Sequence, residues 1–172
     1  MMEKARALLQ NAHILTLATQ SVKGPWAADV YYAPHTSGLY FFSNASARHI
    51  KEGLEAPVAA TIHQSPFHPS EIEGFQAIGT LESAPFSAEA SAAFGLYLKK
   101  FDFLPQLFSK EALKGIAPFL KREKKMGWYR FVPHEMWYID SSRGFGNRSL
   151  CHLDVLLKNQ DNDSAVRPGP NV

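Results

Sequence analysis

The chain has 172 residues, 45% hydrophobic and 20% charged, with a net charge of +2; at that size a single domain buries roughly 70% of its unfolded surface without staples. So even a charge balance offers no basic surface for nucleic acid, and no apolar stretch approaches the ~20 residues of a membrane span. One cysteine, Cys151, excludes an internal disulfide and suits a reducing cytoplasm, the expected location.

Met1 to Asn11 carries Glu3, Lys4 and Arg6 among Ala5, Leu8 and Leu9, an amphipathic helix without the apolar run of a signal peptide. His13 to Thr19 follows as a strand with Leu15 and Leu17 on one face. After a turn at Lys23-Gly24-Pro25, the second strand, Trp26 to Ala33, sets Trp26, Ala28, Val30 and Tyr32 against Asp29 and Tyr31. Pro34 to Gly38 turns into a third strand, Leu39 to Ser43, and Ala47 to about Glu55 reads as a helix with Ser46 as N-cap. Val58 to His63 is the fourth strand and Gln64 to Ser70 a loop. Glu71 to Glu82 is a long strand whose Gly74 and Gly79 mark places for a bend or bulge. Pro85-Phe86-Ser87 ends it and caps a helix striped by Ala90, Phe94, Tyr97 and Phe101. Phe103 to Gly127 is helical in pieces, broken by Pro105, Gly115 and Pro118. Trp128 to Asp140 is a strand pair or one bent strand broken at Pro133, and the polar residues 158–172 are expected to be a disordered tail after one domain spanning 1–157. Six mostly antiparallel strands joined by short turns, with helical additions, predict a mainly β, α+β small closed barrel.

Two segments carry polar groups in a suggestive order. Ser43, Asn44, Ser46, Arg48 and His49 gather where the third strand meets a helix start, a corner with donors for an anion. Read alone, the same segment is also an ordinary capped surface helix. Asp140 to Arg148 sets Phe145 between Gly144 and Gly146, with Arg143 and Arg148 on either side. It reads either as a glycine turn closing a hairpin or as an aromatic and cationic flap that approaches a ligand. No nucleophile elbow, phosphate-binding loop, dinucleotide fingerprint or His-Glu zinc motif occurs, and no side chain stands out as a general acid or base. His63 and His68 straddle a proline-bearing loop, which is more readily solvated than metal-binding.

The segments Leu15-Thr16-Leu17-Ala18-Thr19, Trp26-Ala27-Ala28-Asp29-Val30-Tyr31-Tyr32, Leu39-Tyr40-Phe41-Phe42-Ser43, Arg48-His49, Pro57-Val58-Ala59-Ala60-Thr61-Ile62 and Ile72-Glu73-Gly74-Phe75-Gln76-Ala77-Ile78-Gly79 follow one another in a characteristic order. In that order the chain resembles the FMN-binding split barrels of the pyridoxamine 5′-phosphate oxidase-like superfamily, over roughly residues 8–148. It looks closest to a small bacterial subfamily of unassigned reaction that ends its last strand in Gly-Phe-Gly and a basic residue. The resemblance implies a six-stranded antiparallel split barrel, a homodimer with FMN at the subunit interface, and a flavin-dependent oxidoreductase acting on a small substrate. It places Ala28, Asp29, Val30 and Tyr31 along the isoalloxazine, and Ser43, Asn44, Arg48 and His49 at the phosphate. Gln76 would touch the flavin, and Trp137, Arg143, Phe145 and Arg148 would approach from the C-terminal end. The superfamily's oxidases have Arg-Lys where this chain has Arg48-His49, and their basic substrate-phosphate set is not evident here. Related barrels also imply an alternative, a non-enzymatic carrier of haem, with His13, His63 or His134 as axial ligand, or of a deazaflavin, or a barrel without a cofactor.

Overall fold

Alternation of apolar and polar residues makes the barrel. The computed structural model describes residues 1–64, 68–84, 86–122 and 124–158, and the expected tail, apart from Lys158, lies outside them. The chain runs through α1 (Met2–Asn11), β1 (Ile14–Ser21), β2 (Gly24–His35), β3 (Gly38–Asn44), α2 (Arg48–Gly53) and β4 (Val58–His63), then β5 (Glu73–Ser83) and α3 (Ala88–Lys100). It continues with α4 (Leu104–Leu107), α5 (Ile116–Arg122), β6 (Met126–Asp140), β7 (Arg148–Cys151) and α6 (Leu153–Leu157). The antiparallel sheet has the order β3-β2-β1-β4-β5-β6-β7 and closes through β3 and β6. This is the expected six-stranded split barrel, with one strand more than the sequence suggested. Four-residue β7 hangs on the second half of β6, where Met136 pairs with Cys151 and Ile139 with Arg148. The first half of β6 pairs instead with β3, from Leu39–Phe131 to Asn44–Met126. The wall therefore splits where β6 exchanges β3 for β7.

A bulge makes that exchange possible. On β5 and β6, Ile78 pairs with Glu135 but Gly79 pairs with Pro133, leaving His134 extra. As a result β6 points Tyr129 and Phe131 into the barrel before the bulge and Met136 and Tyr138 after it. Pro133 sits where a missing N–H does least harm to the ladder. A side chain on Gly79 would run into the Val132 carbonyl, which is backbone and cannot swing away. Gly79→Ala is therefore expected to cost about 2–3 kcal/mol, the range of overpacking, in a denaturant titration; a neutral result would mean the bulge relaxes freely.

Leu15, Leu17, Val30, Tyr32, Phe41, Val58, Ile62, Phe75 and Phe131 fill the interior with α1 and α6. Tyr32 is buried and donates to the Leu9 carbonyl at 2.6 Å, which fixes α1 at the end of the barrel where β1 begins. α2 packs at the other end, with Ile50 buried and Gly53 against Leu81, Val58 and Thr19. A second core lies outside the wall. The stripe Ala90, Phe94 and Tyr97 of α3, continued by Phe101 at its C-cap, is buried, and Ser87 caps that helix by accepting from the Ala90 N–H, as expected. This layer covers the outward residues Tyr40 and Phe42 of β3 and Trp128 of β6. Among the described residues, no such cover lies over the outward side of β1, β4, β5, the first half of β2 or the second half of β6.

Candidate cofactor-binding face

Strand register sets the uncovered face. Thr16 of β1 stands opposite Asp29 of β2 and Thr61 of β4; Thr61 pairs with Gln76 of β5, and Gln76 with Trp137 of β6. One cross-strand row thus reads Asp29, Thr16, Thr61, Gln76, Trp137. The adjacent row reads Ala27, Ala18, Ala59, Ile78, Glu135 by the same pairings. A polar row lies beside a strip of three alanines, and Asp29, Thr61, Gln76, Ala27, Ala18 and Ala59 are all exposed. The Thr16 hydroxyl donates to Asp29 Oδ1 at 2.6 Å, holding that carboxylate on the face. At the far end a hollow of about 240 Å³ is lined by Gln76, Ala77, Ile78, Glu135, Trp137 and Arg148. There the Arg148 guanidinium lies 5.7 Å from the Trp137 ring, and Trp137 Nε1 donates to Glu135 at 2.6 Å.

The structure brings Asp29, Gln76, Trp137 and Arg148 onto one face. Ala28 and Val30 alternate with them and turn inward, so only their main chain could meet a ligand there. Tyr31 turns outward and packs edge-on against Phe101, 5.3 Å between centroids. Arg143 lies elsewhere, its Nη1 2.9 Å from the Met1 sulfur. Phe145 is 97% exposed, between Gly144 at φ +119° and Gly146 at φ +76°. The segment is thus a turn between β6 and β7, but its phenylalanine plugs no core. Thr16 and Thr61 join the face without a motif of their own; the alternation Leu15-Thr16-Leu17-Ala18 carries the signal for the first of them.

The Ser43–His49 corner differs from its expected form. Ala47, not Ser46, is the N-cap of α2, with no side-chain cap bond; the Ser46 N–H and hydroxyl both donate to Asn44 Oδ1. Asn44 thus holds the serine in a local turn, and the helix is only six residues long, ending at Gly53. Arg48 is already engaged: Nε donates to Glu52 at 2.7 Å, Nη2 to the Gly24 carbonyl at 2.9 Å, and the guanidinium lies 4.8 Å from the Trp26 ring. Glu52 also accepts from the Ser21 and Thr19 hydroxyls. The corner is therefore an ion pair seated at the barrel end rather than a free cation. His49 Nε2 lies 2.8 Å from the Ser43 hydroxyl, and burial lowers its pKa, so it is neutral at pH 7.

Glu52's carboxyl is lowered from 4.5 to about 2, first by the Ser21 hydrogen bond; burial opposes this, and the hydrogen bonds from Arg48 and Thr19 with the Arg48 charge lower it further. A depressed carboxyl stabilises the fold above its unfolded pKa and loses that effect as pH falls through the folded one. The acid limb of stability between about pH 4.5 and 2 should therefore flatten in Glu52→Gln, measured as Tm against pH. An unchanged acid limb would show that Glu52 contributes nothing to it.

No family model matches the chain, and no curated protein matches it. Solved structures do. A haem-binding protein from Mycobacterium smegmatis superposes with a TM-score of 0.66 at 16% identity, over 90% of this chain but only 59% of that one. A FAD-binding protein from Mesorhizobium loti gives 0.56 at 16% identity, covering 78% of this chain and 90% of its own. A Listeria innocua protein assigned by name to the pyridoxamine 5′-phosphate oxidases gives 0.59 at 13% identity, covering 81% and 98%. The chain has the split-barrel fold of the pyridoxamine 5′-phosphate oxidase-like proteins.

Proposed function

We propose that this chain, a split barrel of the pyridoxamine 5′-phosphate oxidase-like fold, binds FMN on its uncovered face and serves as a flavin-dependent oxidoreductase for a small substrate. The observation that carries the proposal is the pair of cross-strand rows. Three alanines leave a strip low enough for a planar ring to lie along the sheet. The neighbouring Thr16, Thr61 and Gln76 supply donors and acceptors for the ring edge, and Trp137 with Arg148 closes one end. The residues fit a flavin ring better than they fit its phosphate. A phosphate at the Ser43–Arg48 corner must use the Arg48 N–H groups left over from Glu52 and Gly24, together with Asn44 and Ser46.

Bound flavin would supply electron transfer, and the chain's own groups would bind and orient it. Gln76 can hydrogen-bond a ring edge. Asp29, held by Thr16, repels a second anion and favours a donor facing it. Arg148 brings a positive charge to the end nearest Trp137. None of these side chains is set up as a general acid or base. The reading extends to a homodimer, in which a second copy covers the face and shields the ring from water.

Titration of the purified protein with FMN and riboflavin tests this. The expected result is tighter FMN binding, since riboflavin lacks the anionic group. Arg48→Ala should weaken FMN by about 1.5–3 kcal/mol, the range for a hydrogen bond to a charged group, and Gln76→Ala by less. Equal affinity for the two flavins would remove the phosphate corner from the proposal.

A second reading has one specific observation behind it. His63 is exposed on β4, on the same outward side as Thr61 and Ala59, a position from which an imidazole could ligate haem. His13, edge-on to Phe101, is off this face, whereas His134, at the bulge, meets Thr80, which follows Gln76 and Ile78 on the outward side of β5. A Soret band instead of flavin bands would select that reading.

A further inference from the structure

A second concavity, of about 560 Å³, lies at the other end of β2 from the alanine strip. Gln10 and Asn11 of α1, His13, Ala33 and Pro34 of β2, Leu96, Lys99 and Lys100 of α3, and Leu157 of α6 line it. Its volume falls in the range of small-molecule sites. Among the described residues the lining is one-sided in charge, with two lysines, a histidine and two amides but no carboxylate. The remainder, Ala33, Pro34, Leu96 and Leu157, is apolar. Phe101 separates the groove from the uncovered face, its ring 5.6 Å from His13 on one side and 5.3 Å from Tyr31 on the other.

Lys100 is the unusual member. Its Nζ donates to the Ala12 carbonyl at 2.6 Å and lies 4.0 Å from the centroid of the Tyr32 ring. These contacts hold the amine in place, yet both are neutral groups. The groups around it are Lys99 on its own helix, His13 at the start of β1 and Tyr32 on β2. Tyr32 is buried, its pKa raised by that burial, and it stays uncharged. α1 and α6 bring only Gln10, Asn11 and Leu157 to the groove. Burial therefore pushes the Lys100 amine down to about 7. Among the described residues this half-buried amine has no carboxylate partner, an incomplete electrostatic arrangement.

We propose that this groove binds a small amphipathic organic anion, its apolar body against Leu96, Pro34 and Leu157 and its carboxylate or phosphate against Lys100, with Lys99 and His13 beside it. The anion supplies the missing counter-charge. Because an opposite charge favours the ammonium form, binding takes up a proton at mildly alkaline pH. This site is independent of the flavin reading and survives its failure.

Octanoate is a suitable probe, with octanamide as its uncharged counterpart, followed by isothermal titration at pH 8 in HEPES and in Tris. Octanoate should bind with one site per chain, at least tenfold more tightly than octanamide, with a heat that differs between the buffers because a proton is taken up. Lys100→Met should lower octanoate affinity at least tenfold. Lys100→Arg, which keeps the charge but does not titrate near pH 8, should retain binding and abolish the buffer dependence. Circular dichroism melts confirm that both variants fold. Equal binding of octanoate and octanamide, no octanoate binding, or unchanged affinity in folded Lys100→Met would each overturn the proposal. Addition of FMN should leave the octanoate isotherm in place.

Discussion

Trp128→Ala is expected to lower the unfolding free energy by about 3–5 kcal/mol, the usual cost of emptying a large buried aromatic site, whereas Phe145→Ala should change it by less than about 0.5 kcal/mol. Trp128 is 2% exposed and joins the barrel wall to the helical layer. Its ring centroid lies 4.2 Å from that of Phe42, 5.4 Å from Tyr97 and 5.6 Å from Tyr40. Truncation would detach α3 from the outward residues of β3 and leave a cavity that neither rigid layer can close. Phe145 has no such neighbours, since it stands almost wholly in solvent between two glycines with positive φ. Urea titrations of the two variants decide the matter. A large loss in Phe145→Ala would mean that its ring is buried in the assembled protein, as a contact with a second subunit would bury it. The loss should then depend on protein concentration.

Ala59→Arg should produce a monomer that no longer retains flavin. Ala59 stands between Ala18 and Ile78 in the small-residue row, so a long charged side chain there would fill the strip and bury a charge under any partner. Only part of the apolar strand surface is open to a second copy. Tyr40 and Phe42, apolar residues on the outward side of β3, are covered by α3 and α5. What remains open is Ile78, Leu150 and the alanines, an apolar area on a sheet face with edges at β7. A permanent homodimer would bury more than roughly 2,000 Å². Sedimentation should show a dimer for the parent chain and a folded or partly destabilised monomer for Ala59→Arg. A parent chain that sediments as a stable monomer at micromolar concentration would remove the dimer from the account.

Much of the barrel was legible because its strands obey a period of two. Leu15 and Leu17, or Val58, Ala60 and Ile62, announce their inward face without further help. Gly79 marked the bulge, whereas Gly74, read on the same grounds, pairs in regular register with His63 and Ile139. β7 was missed because four residues, Arg148 to Cys151, are too few to establish a period. The site was less legible for two reasons. Which strand residues share a row depends on register, so Thr16, Thr61 and Gln76 could be aligned only once the pairings were known. The fate of Arg48 depended on competition: Glu52, four residues on, and the Gly24 carbonyl claim the guanidinium that the sequence leaves free. The four-residue spacing carried that signal, as an ion pair on one helix face.

The measurement that bears most directly on the central proposal is the visible spectrum of the protein after incubation with FMN and removal of free ligand by gel filtration. The account predicts flavin absorbance bands that co-elute with a dimer, at one flavin per chain, and that are lost in Ala59→Arg. Elution of a folded dimer with no flavin bands, or with a Soret band after exposure to haem in their place, would contradict it.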